Sequence, residues 1–260
     1  MTTQSHRPGI PRSRSKLFGR TDDAATIRSL LDRGDSRIIT LTGPGGVGKT
    51  RLASRVVLRY GWSVVYVRLE SVHDPGLVLS AIAARLGVRD GGDQPLLDQL
   101  ATVLDEQDVL LVLDNFEQVL ESGATIGALV DRCSHLKVLI TSRSRLRIQG
   151  EQVFRVQPLP VSDGPGCPAV KLFIDRVRIG GDPAFLPSES ELEDIVAICN
   201  RLDGLPLAIE LAAARVPTLS LQGLVDRLDT LLPLLGDGPR DAPERLQSLS
   251  CAIGWSYDLL

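Results

Sequence analysis

A lysine and a threonine close a run of glycines in this chain: Gly43-Pro44-Gly45-Gly46-Val47-Gly48-Lys49-Thr50. The spacing is G-x-x-x-x-G-K-T, which signals polyphosphate chemistry when a strand precedes it and a helix follows. Both flanks are right. Ile38-Ile39-Thr40-Leu41-Thr42 is apolar and β-branched, and a helical pattern runs over residues 49–59. The glycines let the backbone curl with its N–H groups inward, and the helix adds free N–H donors and the positive end of its dipole. Lys49 is then placed for the β- and γ-phosphates of a nucleotide, and the Thr50 hydroxyl for Mg2+.

Three further positions carry the same chemistry. Asp114 ends the buried run Val109-Leu110-Leu111-Val112-Leu113, where a carboxylate is the expected partner of Mg2+. Hydrolysis also needs a group that activates water. The residue after the metal Asp is often a second acid, but here it is Asn115, which accepts no proton. Glu117 either substitutes for it or is a solvated surface side chain. Arg143, in Ile140-Thr141-Ser142-Arg143, stands where a guanidinium can sense a γ-phosphate. Arg145 and Arg147 read as surface residues.

These groups need a scaffold that gathers strand ends. Strands are expected at 37–42, 63–69, 108–113, 136–141 and 152–156, with helices at about 21–33, 49–59, 75–86, 95–106 and 116–132. Alternating strands and helices imply a parallel sheet covered on both faces, with its active groups at the C-terminal strand ends. After Pro158-Leu159-Pro160 the pattern becomes wholly helical. Apolar faces recur at Val170/Phe173/Ile174/Val177, Ile195/Val196/Cys199/Leu202 and Leu221/Leu224/Val225/Leu228. Residues 205–214 are apolar nearly all round, as in a buried helix. Gly204-Leu205-Pro206 breaks one helix and opens the next.

Bulk composition narrows the class. The 260 residues are 43% hydrophobic and 23% charged, ordinary for a globular protein with a real core. Net charge is −3, so nothing global points to nucleic acid. Residues 1–20 are the exception, with Arg7, Arg12, Arg14, Lys16 and Arg20 and no acid. That arm is a solvated, disordered tail or a weak contact to DNA. Cys133, Cys167, Cys199 and Cys251 form no C-x-x-C pair and suit a reducing, cytoplasmic setting. No apolar run is long enough to cross a membrane, and no secretory h-region stands at the N-terminus. Asn200-Arg201-Leu202-Asp203 and Asp163-Gly164-Pro165-Gly166 mimic guanine-reading motifs in the wrong structural context, which argues against a GTPase.

On these residues the chain resembles the nucleotide-binding domain of the STAND class, in its NB-ARC/AP-ATPase branch. It is most similar to the form found in bacterial LuxR-type and related transcriptional regulators. The resemblance rests on LFGR (17–20), TLTGPGGVGKTRLA (40–53), LLVLDNFEQVL (110–120), LKVLITSR (136–143), VQPLP (156–160), GLPLAIELAAAR (204–215) and WSYDLL (255–260), in the family's order. It implies an α/β P-loop NTPase whose parallel five-stranded sheet is ordered 5-1-4-3-2, followed by an all-α helical domain. The implied domains are a tail at 1–16, the nucleotide-binding domain at 17–160, the helical domain at 161–235 and the start of a truncated winged helix at 243–260.

The resemblance also implies the ligands, ATP or ADP with Mg2+. The nucleotide set is Gly19 and Arg20 behind adenine, Pro206 packed on it, and Gly43, Pro44, Gly45, Gly46, Val47, Gly48, Lys49, Thr50 and Arg51 around the phosphates. Lys49, Asp114 and Arg143 are the catalytic candidates, and Thr50 and Asp114 the metal ligands. The expected function is an ATP/ADP switch module of a bacterial signalling or transcriptional regulator, with slow Mg2+-dependent hydrolysis. The alternative is a module that binds nucleotide without hydrolysing it. Self-association or a protein partner would act through regions beyond residue 260, and DNA only indirectly or weakly.

Overall fold

The computed structural model describes residues 16–34, 36–58, 60–89, 94–161 and 164–235. The basic tail before residue 16, the Gly91-Gly92 turn, Asp163, the linker after residue 235 and the winged-helix start lie outside the described residues. By its contacts the chain divides into two units. The first holds Lys16, Thr21–Gly43 and Lys49–Val156; the second holds Leu17–Arg20, Pro44–Gly48 and the chain from Gln157 onward.

The first unit alternates helix and strand: α1 (Thr21–Arg33), β1 (Ile38–Thr42), α2 (Lys49–Val57), β2 (Ser63–Arg68), α3 (Val78–Leu86), α4 (Leu96–Leu104), β3 (Val109–Asp114), α5 (Gly123–Arg132), β4 (Lys137–Ser142) and β5 (Glu151–Arg155). All strand pairs are parallel and the sheet order is β2-β3-β4-β1-β5, the expected 5-1-4-3-2 read from the other edge. Burial follows that order. β1 and β3 are buried at every residue, whereas the edge strands β2 and β5 are partly exposed. Strands flanked on both sides and covered on both faces must be apolar throughout, which is why β3 reads VLLVLD.

Side chains alternate across the sheet. Val109, Leu111 and Leu113 join Val138 and Ile140 in a core with Val78 and Ile82 of α3, Leu100 and Leu104 of α4, and Ile126 and Leu129 of α5. Leu110, Val112, Leu139 and Leu41 are equally buried but stand outside that cluster, on the opposite face, where α2 packs. Each such side chain contributes about 1.5–3 kcal/mol by burial.

The expected helix over 116–132 is broken. Residues 116–118 and 120–122 are single 3-10 turns, and α5 begins only at Gly123. Asn115 takes the left-handed conformation (φ 63°, ψ 50°) and Val119 leaves helical angles (φ −127°, ψ 34°). Phe116 and Val119 are fully buried. Their burial holds the irregular segment in place. The expected helix over 75–86 likewise opens as a 3-10 turn at 75–77, capped by the Asp74 carboxylate on Gly76 N–H at 2.8 Å, before α3 begins.

The second unit is helical: α6 (Pro168–Gly180), α7 (Glu189–Arg201), α8 (Pro206–Ala213) and α9 (Leu221–Leu235). Pro168 and Pro206 each occupy a first turn, where a missing N–H costs nothing. Ser188 and Glu191 form a reciprocal capping box at the start of α7. Val170, Phe173 and Val177 of α6, Ile195, Ile198 and Cys199 of α7, and Ala208, Ile209 and Ala212 of α8 are all buried. An ion pair joins Arg176 of α6 to Glu210 of α8 at 3.0 Å.

Candidate functional site

In the first unit the C-terminal ends of β3 and β4 lie side by side, because Leu113 pairs with Ile140. Asp114 and Thr141 follow those positions. Asp114 is 3% exposed and Thr141 fully buried. Asp114 Oδ1 accepts a hydrogen bond from the Thr50 hydroxyl at 2.7 Å and another from the Thr141 hydroxyl at 2.6 Å. Thr141 Oγ1 in turn accepts the Asn115 N–H at 3.0 Å. Two hydroxyls, from α2 and β4, thus converge on one carboxylate oxygen at the end of β3, and the Asn115 N–H supports one of them. Sequence reasoning paired Thr50 with Asp114 but missed Thr141, which reads as one more β-branched strand residue.

Lys49 opens α2 and is 8% exposed. Its ammonium donates to Gly43 O at 2.9 Å. Burial lowers its pKa below the ordinary lysine value; the Glu117 carboxylate opposes that most, with Arg143 lowering it and Asp114 raising it. Lys49, Glu117, Arg143 and Asp114 therefore form one electrostatic cluster. Arg143, 61% exposed, ion-pairs through Nε with Glu117 Oε1 at 3.3 Å, whereas Glu117 is 20% exposed. The other oxygen, Glu117 Oε2, is buried and has no hydrogen-bond partner among the described residues.

Tyr66 on β2 is a second residue that the sequence did not single out. Burial, and after it the Asp114 carboxylate, push its phenol well above the ordinary tyrosine value. Arg51 turns to Lys16, donating to its carbonyl at 3.1 Å. Arg145 and Arg147 are exposed, as expected.

In the second unit, Arg20 is 5% exposed. Its guanidinium donates to Val47 O at 3.1 Å and to Gln157 O at 2.6 Å. Gly46 O accepts the Leu207 N–H at 3.2 Å, from the first turn of α8 beside Pro206. The loop tip is therefore tied to two segments distant in sequence, those of Arg20 and Pro206. Gly48 sits at φ 97°, a conformation that disfavours any side chain. Gly204 is constrained in the same way (φ 64°), and a Cβ there would lie 2.1 Å from Leu159 O. Asn200–Asp203, the guanine-motif mimic, ends α7 and feeds this turn, with Asp203 at φ 50°.

A hydroxyl and a carboxylate are hard oxygen donors of the kind Mg2+ takes, usually with several waters retained. Thr50 and Asp114, held at 2.7 Å, fit that ion. The buried Lys49 ammonium supplies positive charge beside them. A cavity of about 670 Å3 lies elsewhere in the first unit, lined by Gly34, Ile38, Gly127 and Gly150, and contains none of these residues.

Residues 32–148 match a family described as an AAA domain. A provisionally named HTH-type transcriptional regulator of Mycobacterium tuberculosis is 38% identical over 240 residues, covering 90% of this chain and 26% of that protein. An uncharacterised protein of the same species is 36% identical over 256 residues, covering 95% of this chain and 62% of that one. The chain thus spans about a quarter of the first relative and less than two thirds of the second. Among solved structures, the ORC2 protein of Aeropyrum pernix, in ADPNP and ADP complexes, shares the fold with a TM-score of 0.52. It is 17% identical and covers 86% of this chain and 70% of that one.

Proposed function

We propose that the chain, whose residues 32–148 match a family described as an AAA domain, is a nucleotide switch module, binding ATP or ADP with Mg2+ and hydrolysing ATP slowly. The observation that carries this reading is the Thr50 hydroxyl held at 2.7 Å on the Asp114 carboxylate beside a buried Lys49 ammonium. Thr50 and Asp114 hold Mg2+, directly or through water, and the ion when bound neutralises charge on the β- and γ-phosphates. Lys49 neutralises the same oxygens. The backbone N–H groups of residues 43–50, Pro44 excepted, hold the phosphates. Arg143 keeps Glu117 on its Nε and offers its terminal N–H groups to the γ-phosphate when that group is present, which makes it the sensor of ATP against ADP.

The finer assignment is to the STAND class and its NB-ARC branch, as the module of a signalling or transcriptional regulator. The ordered stretches LFGR, GPGGVGKT, LDNFEQ, ITSR and GLPL support it, as does the naming of the mycobacterial relative. In that assignment Gly19, Arg20 and Pro206 hold the adenine, and the module signals to protein partners or further copies of itself. DNA is contacted indirectly, and the cytoplasm is the setting. Among the described residues no helix is long and apolar enough to cross a membrane.

The test is equilibrium binding of ATP and ADP, with and without Mg2+, to the chain and to Lys49→Ala and Asp114→Ala. Lys49→Ala is expected to abolish measurable binding, and Asp114→Ala to remove the Mg2+ dependence. Unchanged binding by Lys49→Ala would overturn the site. A second reading, nucleotide binding without turnover, is favoured by Asn115, whose amide accepts no proton. Phosphate release that Asp114→Ala leaves unaltered would support it.

A further inference from the structure

Hydrolysis at this site needs a base for the attacking water, and the position beside the metal aspartate cannot supply one. The geometry points to Glu117 as that base. This inference rests on the proposed ATP hydrolysis and deepens it.

Three observations converge. Asn115 not only lacks a basic oxygen; its left-handed backbone (φ 63°, ψ 50°) and its N–H bond to Thr141 turn the chain sharply at the end of β3. That turn places Phe116 in the core and brings Glu117 back to the strand ends, where it meets Arg143 at the end of β4. Within the carboxylate the two oxygens differ. Oε1 is engaged by Arg143 Nε at 3.3 Å, while Oε2 is buried and has no hydrogen-bond partner among the described residues. A buried carboxylate oxygen left without a donor costs stability. Such a cost is characteristic of groups kept for a donor that arrives with the ligand. Glu117 also acts electrostatically on Lys49, opposing the lowering that burial causes, so the two belong to one charged cluster.

In the step, the water oxygen forms a bond to the γ-phosphorus as the bond from that phosphorus to the β–γ bridging oxygen breaks. Glu117 Oε2 takes the water proton, ADP leaves with the bridging oxygen, and the proton passes to solvent with inorganic phosphate. Arg143 orients the carboxylate through Oε1. It is a positioning residue for Glu117 as well as a contact for the γ-phosphate.

The experiment measures phosphate release and equilibrium ATP binding by the full chain with Mg2+, for the wild type, Glu117→Gln, Glu117→Ala and Glu117→Gln combined with Asn115→Asp. Glutamine keeps an oxygen for Arg143 Nε and removes the basicity. The expected result is kcat lowered by about 100-fold or more in Glu117→Gln, with ATP still bound and recovered intact. Near wild-type turnover in Glu117→Gln, with loss only in Glu117→Ala, would overturn the assignment in favour of a positioning role. Loss of ATP binding in Glu117→Gln would also overturn it, as would restored turnover in the double variant. No Mg2+-dependent release from the wild type would overturn the hydrolysis reading and the role of Glu117 with it, an outcome distinct from the others.

Discussion

Thr141→Val removes one hydroxyl and almost no volume, and the structure says it is expensive. Thr141 is fully buried, donates to Asp114 Oδ1 at 2.6 Å and accepts from Asn115 N–H at 3.0 Å. The bond to a buried carboxylate is worth roughly 1.5–3 kcal/mol, and the backbone bond about 1 kcal/mol. Valine offers nothing in return, because its extra methyl faces a charge and a peptide N–H. The expected loss is about 3 kcal/mol, which for a chain of this size lowers Tm by roughly 6–12 °C. Denaturant titration followed by far-UV circular dichroism, with an unchanged m-value, isolates stability from changes in compactness. Thr141→Ser retains both bonds and is expected to lose less than half as much. A Thr141→Val chain within about 1 °C of wild type would refute the reasoning, since about 0.3 kcal/mol is too small for either bond.

Gly204→Ala forces a Cβ to 2.1 Å from Leu159 O at φ 64°. It also strains the Leu159 N–H bond to Gly204 O at 2.9 Å. A loss of roughly 2–4 kcal/mol is expected by thermal unfolding, from left-handed strain plus one hydrogen bond. Arg20→Ala leaves Val47 O and Gln157 O without their guanidinium donor. It is expected to cost about 3 kcal/mol and to raise hydrogen exchange at the loop tip 44–48. The Ser188 main-chain N–H, and after it the Ser188 hydroxyl, hold the Glu191 carboxyl below its ordinary value. Its contribution is therefore present above the unfolded value and lost as pH falls through the lower folded value. Glu191→Gln is expected to flatten that acid limb in a series of melts, with the loss of stability at neutral pH and convergence on the wild type below the folded value.

Local pattern was enough for much of this molecule. The strands at 38–42, 109–114 and 137–142 were legible because a strand buried on both faces must be apolar throughout. In the second unit α6, α7 and α9 were legible from their 3.6-residue stripes and α8 from an apolar run opened by a proline. The sheet order came through family resemblance, not periodicity. The break at 115–122 escaped because Phe116, Val119 and Leu120 mimic a helical face. Only tertiary burial of Phe116 and Val119 favours turns over a continuous helix there.

What the sequence determined alone was the Gly-rich run ending in Lys49-Thr50, the aspartate that closes β3 and the elements that carry them, since each follows from spacing over a few residues. What the tertiary structure decided was which groups meet across the chain. Thr141 reaches Asp114 from 27 residues away, Arg143 reaches Glu117 from 26, and Arg20 reaches Gln157 from 137. No local period encodes such pairings. They follow from strand register and from the requirement that buried carboxylates and carbonyls find donors, and both exist only once the chain has folded.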